Sequence, residues 1–293
     1  MLELKNVTKT FGNFKALDDL TMTVPTGSVY GLVGPNGAGK STVIRHALGI
    51  YRPDSGTILM DGQPIFENPD VKMRIGSIPD DIFYFNSADL EDMHKFYKGI
   101  YPAFDSTLFT QLYDCFRLPP NMPLRRFSKG MQKQAAFQLC LSLRPDVLIL
   151  DEPVDGLDPL TRRNVWSLII SDVAQRGTTV LISSHNLREL EDICDHVGIM
   201  QKGKMMLERS LADMQGNTHK VQLVGQIPQG LQVLQQSSTG RLQTLVVRGS
   251  AQEIKARLQT VNPTYYDILP LSLEEIFIYE LGGAHNAAAK MVL

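Results

Sequence analysis

The residues with the clearest chemical potential form one glycine-rich stretch, GPNGAGKST, from Gly34 to Thr42. It fits the spacing G-x-x-x-x-G-K-[ST] and lies between a strand-like and a helix-like segment. Glycines let successive backbone N–H groups converge on phosphate oxygens, and the following helix N-terminus adds partial positive charge. Lys40 supplies an ammonium for terminal phosphates, and Ser41 supplies a hydroxyl for Mg²⁺. The predicted nucleotide-binding residues are Gly34, Pro35, Asn36, Gly37, Ala38, Gly39, Lys40, Ser41 and Thr42.

A second candidate is the acidic pair that ends the stretch VLILDEP, from Val147 to Pro153. The preceding apolar run is typical of a buried strand, and ligands of open α/β sheets bind at the C-terminal ends of strands. Asp151 is therefore placed to hold Mg²⁺ directly or through water, and Glu152 to orient and deprotonate an attacking water. An acidic strand end alone also fits a helix cap, but downstream of a phosphate loop it indicates nucleotide hydrolysis.

A third candidate is the start of a helix within RRFSKGMQKQAAFQL. Ser128 is a suitable N-cap, and the exposed N-terminus of such a helix is an anion site built from the serine hydroxyl and the backbone N–H groups around Gly130. Lys129 leaves those groups in place as long as its φ is negative, and it costs about 0.3 to 1 kcal/mol against the helix dipole while the site is empty. A bound triphosphate would more than offset that cost. The apolar positions that pack the helix are Met131, Ala135, Leu139 and Leu143.

The elements that must position these residues alternate between strand and helix. Strand patterns fill most of residues 2–33, a hairpin turns at Asp61-Gly62, and helical patterns fill 86–144. We expect Ser87 to cap the first helix of that insertion. Short apolar strands then alternate with helices, which predicts an α/β fold with a mainly parallel sheet.

The composition sets limits on what the protein does. A chain of 293 residues with 43% hydrophobic residues is long enough for one large domain and a smaller one. A net charge of -2 gives no general attraction to nucleic acid, so no nucleic-acid partner is expected. Three isolated cysteines without a CxxC pair predict free thiols in a reducing compartment. No apolar run approaches the roughly 20 residues of a membrane helix.

Four motifs in this order, GPNGAGKST, FSKGMQK, LDEPVDGLDP and LISSHNL, resemble the ATP-binding subunit of an ABC transporter. The resemblance extends from Met1 to about Arg209. It implies an ATPase that uses ATP and Mg²⁺, with a P-loop NTPase core, an N-terminal antiparallel β subdomain and a helical subdomain at about 86–144. We expect this domain to span 1–215 and a small α+β appendage, ending in a disordered tail, to span 216–293.

The resemblance also assigns roles to single residues. His185 matches the switch histidine that contacts the γ-phosphate and holds the water and Glu152. Phe11 matches the aromatic that stacks on adenine, with Phe14 as the alternative and a core position as another. Asp158 matches a residue that crosses a dimer interface, although it also suits an N-cap for the next helix. The residues implied to bind ATP in trans, across a head-to-tail pair of subunits, are Ser128, Lys129, Gly130, Met131, Gln132 and Asp158.

The sequence departs from the family at three positions. Lys129 and Met131 stand where the family more often has glycine and glutamine, and the contact of the replaced glutamine is lost. Asp80 stands where the family usually has glutamine or glutamate. A carboxylate still binds Mg²⁺ or its water, but aspartate is one methylene shorter than glutamate, and Asp81 is the alternative. The implied metal residues are Ser41, Asp80 and Asp151.

The resemblance implies a multi-span membrane permease as partner and a second nucleotide-binding subunit, identical or related. It places the protein at the cytoplasmic face of the cell membrane, held there by the permease. SKGM, FYKGIYPAFD and LSLEEIFIYELGG resemble bacterial exporters of drugs, antibiotics and lipids. A soluble ATPase of the same superfamily and an importer ATPase are the alternatives. The transported substrate is chosen by the permease, and this sequence does not specify it.

Overall fold

The computed structural model describes residues 1–82, 84–215 and 218–275, without the side chains of 214 and 215. They form two compact units, of which the first contains 1–185 and 193–208 and the second contains 186–192 and the described residues from 209 onward. The boundary expected between 215 and 216 falls inside the second unit. The tail AHNAAAKMVL and most of SLEEIFIYELGG lie outside the described residues.

The strands in chain order are β1 (Leu2–Phe11), β2 (Phe14–Val24), β3 (Val29–Val33), β4 (Ser55–Met60), β5 (Gln63–Pro64), β6 (Ile75–Ile78), β7 (Val147–Asp151), β8 (Thr179–Ser184), β9 (His196–Gln201), β10 (Lys204–Ser210), β11 (Thr218–Val224), β12 (Gln232–Thr239), β13 (Leu242–Arg248) and β14 (Tyr265–Pro270). The helices are α1 (Lys40–Ala47), α2 (Pro69–Lys72), α3 (Leu90–Ile100), α4 (Ser106–Phe116), α5 (Lys129–Ser142), α6 (Pro159–Arg176), α7 (Leu187–Glu191), α8 (Leu211–Gln215) and α9 (Ala251–Val261). A 3₁₀ turn, Leu124–Arg126, precedes α5.

The centre of the first unit is a sheet with the strand order β10-β9-β3-β8-β7-β6. Strands β9, β3, β8, β7 and β6 run parallel, as the continuous apolar runs predicted. Val29–Val33 and Thr179–Ser184 are buried along their whole length. Because the strands are parallel, the C-terminal ends of β3, β8, β7 and β6 lie side by side at one edge, where a ligand site is expected.

A second, antiparallel sheet of the same unit has the order β2-β1-β4-β5. The predicted turn between β4 and β5 is confirmed, with φ of +51° at Asp61 and +78° at Gly62. Apolar side chains of this sheet share one core with the phosphate-loop helix α1 and the central sheet, including Leu4, Val43 and Ile149. The antiparallel sheet therefore supports the base of the phosphate loop.

Helices α3, α4 and α5 form the helical insertion of the first unit around a core of their own. The predicted packing side of α5 is correct, because Ala135 and Leu139 are buried there and Met131 packs against them. The cap predicted at Ser87 was wrong. Asp89 caps α3 instead, because its carboxylate accepts from the Asp92 backbone N–H in a reciprocal capping box.

The second unit contains an antiparallel sheet of order β12-β13-β11-β14. Helix α9 begins at a capping box made by Ser250 and Glu253, and it buries Ile254 and Leu258 in a core with Val221 and Leu245 of the sheet. The second unit therefore has the α+β organisation that the sequence predicted. Strand β12 was not predicted because nearly all of its side chains are exposed and its sequence, QVLQQSST, lacks an apolar alternation.

The three cysteines are free, as predicted. Cys140 and Cys194 are buried, and Cys115 is exposed. Burial raises the pKa of the Cys140 thiol to about 12, so that thiol is unreactive at neutral pH. None of the described helices is both long enough and apolar enough to span a bilayer.

Candidate functional site

The phosphate loop connects β3 to α1 and depends on glycine at position 39. Gly39 has a φ of +109°, and a Cβ atom there would lie 2.9 Å from the Ala16 carbonyl oxygen. Only glycine combines this backbone with so close an approach. Helix α1 starts at the next residue, Lys40, so the loop ends at the helix N-terminus. That is the geometry that binds phosphate.

A cavity of about 260 Å³ lies over this loop, and we call it the phosphate cavity. It brings the loop together with the acidic end of β7 and with Asp80, which follows β6. Its lining residues are Phe14, Ala16, Asn36, Gly37, Ala38, Gly39, Lys40, Ser41, Thr42, Asp80, Asp151 and Glu152. The residues that the sequence predicted for phosphate, Mg²⁺ and the general base thus line one cavity, apart from Gly34 and Pro35 of the loop.

The Lys40 side chain is fixed at the phosphate loop in a position that suits binding of an anion. Its side chain is buried, and its Nζ donates to the Gly34 carbonyl oxygen at 2.7 Å. The nearest carboxylate oxygen, Oε1 of Glu152, is 3.8 Å from Nζ. Burial lowers the pKa of the Lys40 ammonium, and the charges of Glu152 and Asp151 oppose that shift. A desolvated ammonium of this kind gains more from phosphate oxygens than an exposed one does.

Glu152 and His185 contact each other at the edge of the cavity. Oε2 of Glu152 lies 2.9 Å from Nδ1 of His185, which follows β8 directly. Glu152 has a left-handed backbone with a φ of +46°, a conformation that costs a non-glycine residue roughly 1–2 kcal/mol. The sequence predicted both residues but not this strained backbone.

Ser183, near the end of β8, is a residue that sequence reasoning missed. It is fully buried, and its hydroxyl donates to the Asp151 carboxylate. The backbone N–H of Glu152 donates to the same hydroxyl oxygen at 3.1 Å. One serine therefore orients both members of the acidic pair. The available signal was a serine pair that ends an otherwise apolar strand, LISS.

The arrangement of Ser41, Asp80 and Asp151 suits Mg²⁺. All three side chains line the phosphate cavity, and they also line a second cavity of about 220 Å³ together with Asp81. A hydroxyl and two carboxylates are oxygen ligands that Mg²⁺ prefers, with water and phosphate oxygens completing the shell. In the described part of the chain no three His, Cys, Asp or Glu side chains are grouped closely enough to hold a metal alone. The donor set therefore fits a metal that arrives with a nucleotide.

The two candidate aromatics lie in different surroundings. Phe14 lines the phosphate cavity and is 64% exposed. Phe11 does not line it. Its ring packs edge-on against Tyr51 at 5.5 Å between centroids, and the Lys9 ammonium lies 5.6 Å from the same ring. Of these two exposed rings, Phe14 is therefore the one that lines this cavity, and Phe11, 43% exposed, lies outside its lining.

The N-terminus of α5 is exposed and lies outside the lining of the phosphate cavity. Ser128 caps the helix by accepting from the Met131 backbone N–H at 3.3 Å. Lys129 is the first helical residue, so its backbone is right-handed and this position does not need the positive φ that would favour glycine. A Cβ on Gly130 would lie 3.3 Å from the Gly156 carbonyl oxygen. The first turn of α5 is therefore close to the loop that contains Gly156 and leads into α6.

The other residues predicted for this end are engaged within the chain. Met131 packs on the core of the helical insertion, and the Gln132 amide donates to the backbone oxygens of Leu124 and Phe127. Asp158 caps α6, accepting from Leu160 and Thr161. Hydrogen bonds from the side chain and the backbone of Thr161 lower the pKa of the Asp158 carboxyl, so this carboxyl is charged at neutral pH. We call residues 128–132 together with Asp158 the signature end.

Lys133 was not singled out from the sequence. It lies on α5, it is 4% exposed, and its Nζ donates to the backbone carbonyl oxygen of Glu152 at 2.6 Å. The same Nζ is 3.8 Å from Oδ1 of Asp80. Burial lowers the pKa of Lys133, and the nearby charges of Asp80, Asp155 and Glu152 oppose that shift. The only hint in the sequence was a second lysine one helical turn after Lys129.

Comparison with known proteins places this site in a family. Residues 17–155 match the family model described as ABC transporter. The chain is 32% identical over 288 residues to the ABC transporter ATP-binding protein YtrB of Bacillus subtilis, covering 97% of this chain and 99% of that protein. It is 34% identical over 218 residues to the Nod factor export ATP-binding protein I of Cupriavidus metallidurans, covering 71% of this chain and 70% of that protein.

A solved structure described as the ATP binding subunit of an ABC transporter superposes with a TM-score of 0.68 at 29% identity, covering 73% of this chain and 92% of that one. A structural match of this extent agrees with the P-loop NTPase fold that the sequence predicted. With the phosphate loop, the acidic pair and His185 gathered at one sheet edge, the chain belongs to the ATP-binding subunits of ABC transporters, which are ATPases.

Proposed function

We propose that this chain hydrolyses ATP to power export through a separate membrane permease. The observation that carries the proposal is the contact of Glu152 with His185 beside Lys40 in the phosphate cavity. Export is supported by the names of relatives, a Nod factor export protein and a lantibiotic transport protein of Streptococcus pyogenes, to which the chain is 34% and 33% identical. The proposed location is the cytoplasmic face of the membrane, through the permease.

The proposed reaction is attack of water on the γ-phosphorus of ATP, which breaks its bond to the bridging oxygen and gives ADP and phosphate. Glu152 accepts a proton from the water, and His185 holds the Glu152 carboxylate through Nδ1. Lys40 and the loop N–H groups stabilise charge on the phosphate oxygens. Phe14 stacks on the adenine.

We propose that Ser41, Asp80 and Asp151 hold the Mg²⁺ that accompanies ATP. When bound, this ion would neutralise negative charge on the phosphate oxygens. Ser183 keeps Asp151 directed into the cavity by its hydrogen bond. Asp80 reaches the cavity in spite of its short side chain, because the chain that follows β6 brings it to the lining.

We propose that hydrolysis requires a second nucleotide-binding subunit arranged head to tail. The signature end supports this, because Ser128 and Lys129 are exposed and do not line the phosphate cavity of their own chain. An exposed helix N-terminus suits the γ-phosphate of ATP held by a partner. Both a second copy and a related subunit fit this arrangement.

The test of the catalytic assignment is the variant Glu152→Gln. Its amide cannot accept the proton, so kcat should fall at least about a hundredfold while ATP affinity stays within about twofold. Light scattering of this variant should show an ATP-dependent dimer. The matched control is Glu67→Gln, an exposed glutamate outside the site. Turnover near that of the unmodified protein in Glu152→Gln would refute the assignment.

The export assignment is tested separately by purifying the chain from its native membranes. A multi-span permease should be recovered with it, and vesicles containing both should move substrate away from the ATP side. Movement toward the ATP side would identify an importer. Recovery with ribosomes or a soluble target in place of a permease would contradict the transport proposal.

A further inference from the structure

We propose that Lys133 is a positioning residue for the general base, which it holds in place through the backbone of Glu152. This inference rests on the proposed catalytic role of Glu152 and adds a residue to it. The hydrogen bond from Lys133 Nζ to the Glu152 carbonyl oxygen is 2.6 Å long, and the lysine is 4% exposed. A lysine that served only solubility would be exposed. Lys133 is buried, and its ammonium donates to a backbone oxygen next to the proposed catalytic side chain.

The peptide groups on both sides of the Glu152 Cα atom are held. On one side its N–H donates to the hydroxyl oxygen of Ser183 at 3.1 Å, and on the other its carbonyl oxygen accepts from Lys133. A left-handed φ in a non-glycine residue persists only where the surroundings hold it. With both peptide planes held, the Glu152 side chain is directed toward His185 and Lys40.

Lys133 also lies among acidic groups that belong to the same site. Its Nζ is 3.8 Å from Asp80, and it lines a small cavity of about 80 Å³ together with Lys129, Asp80 and Asp155. The charged groups that face it are therefore the carboxylates of Asp80, Asp155 and Glu152 and the ammonium of Lys129. A lysine on α5 thus connects the signature end to the base and to the proposed metal ligand of the same chain.

This contact makes the orientation of Glu152 depend on the position of α5. Because the signature end is the part of α5 proposed to meet a partner's nucleotide, a small shift of the helix would reach the base of its own chain through Lys133. Lys133 is not among the residues that line the phosphate cavity. Its loss should therefore change the rate of the chemical step and leave nucleotide affinity almost unchanged.

The experiment compares Lys133→Met with Lys133→Arg. Methionine keeps the length and apolar stem without the donor, and kcat should fall about tenfold or more with the KM for ATP within about twofold. Arginine retains a donor and should restore most of the rate. The matched control is Lys95→Met, which removes an exposed lysine of the same helical insertion and should leave kcat unchanged. A kcat for Lys133→Met within about twofold of the unmodified protein would overturn the proposal.

A double-mutant cycle separates positioning from a general structural role. In the Glu152→Gln background, Lys133→Met should lower single-turnover hydrolysis by less than about twofold, because there is no base left to position. An equal loss in both backgrounds would show that Lys133 acts elsewhere. If Lys133→Met does not fold, the cycle is run with Lys133→Leu, whose side chain has no hydrogen-bond donor. If Glu152→Gln itself were fully active, the catalytic assignment would fail instead, which is a different result.

Discussion

The phosphate cavity and the signature end both present a helix N-terminus for phosphate, but they differ in what surrounds it. At the cavity, α1 begins with the buried Lys40 near three carboxylates, and Glu152 already contacts His185. At the signature end, α5 begins with an exposed Ser128 and Lys129. The first is a set of side chains in mutual contact, whereas the second is mainly backbone N–H groups and a hydroxyl.

This difference indicates that the cavity serves nucleotide binding by one chain and that the signature end serves the pairing of two chains. A site with its own ammonium, phosphate loop and carboxylates has the groups to bind a nucleotide within a single chain. An exposed helix start without a base contributes only when another molecule supplies the phosphate. The comparison therefore predicts that variants of Lys40 and Phe14 at the cavity change ATP binding by single chains, and that variants of the signature end change only the ATP-driven pairing.

The largest effect is expected at the cavity, from Lys40→Ala. A charge-assisted hydrogen bond contributes about 1.5–3 kcal/mol, so the affinity of a single chain for ATP should fall about 10- to 100-fold. Isothermal titration at a concentration where the protein is monomeric measures this directly. The exposed lysine variant Lys95→Ala is the matched control. Unchanged ATP affinity in Lys40→Ala would remove the distinction between the two regions.

A smaller effect is expected from Phe14→Ala, which tests how the cavity holds the base of the nucleotide. Stacking on an aromatic ring contributes about 1–3 kcal/mol per base, and Phe14 is largely exposed, so the lower end applies and ATP affinity should fall about fivefold. Phe11→Ala is the control because Phe11 packs on Tyr51 and does not line the cavity. If Phe11→Ala lowered ATP affinity more than Phe14→Ala does, Phe11 and not Phe14 would be the ring that stacks on the adenine.

The smallest effect is expected at the signature end, from Lys129→Gly. Removing a lysine that opposes the helix dipole by about 0.3–1 kcal/mol should stabilise the empty helix start and so weaken ATP-driven pairing about two- to fivefold. Light scattering against ATP concentration in the Glu152→Gln background gives the pairing constant. Single-chain ATP affinity should not change.

Glycine in a helix has its own cost, so Lys129→Ala is measured alongside, because it removes the charge and keeps a good helix former. Pairing that is equally strong or stronger in both variants would show that the lysine contributes nothing to the ATP-bound pair. A drop in single-chain ATP affinity would show instead that the signature end is not confined to pairing.

The parts of the site that could be predicted are those fixed by local backbone requirements. A glycine loop before a helix, an acidic pair after an apolar run and a histidine after LISS each lie next to the element that positions them. The parallel sheet follows from the alternation of those elements, and it brings the strand ends to one edge. The apolar spacing of α5 likewise predicted the side on which the helix packs.

The rest depended on contacts between distant segments. Asp89 rather than Ser87 caps α3, because the cap is chosen by which carboxylate reaches the Asp92 N–H. Strand β12 has no apolar alternation of its own and exists through its pairing with β13. Phe14 and Phe11 are close in sequence and of the same type, so only the folded sheet decides which ring faces the cavity.

The sequence by itself determined the family and the phosphate loop and predicted Glu152 as the general base, because each is specified by neighbouring residues with a local geometric need. The tertiary structure decided that Asp80 reaches the phosphate cavity, that Ser183 orients the acidic pair and that Lys133 holds the backbone of Glu152. The last two contacts join residues 32 and 19 positions apart in the chain. Their geometry is set by how strands and helices pack, and no local pattern encodes it.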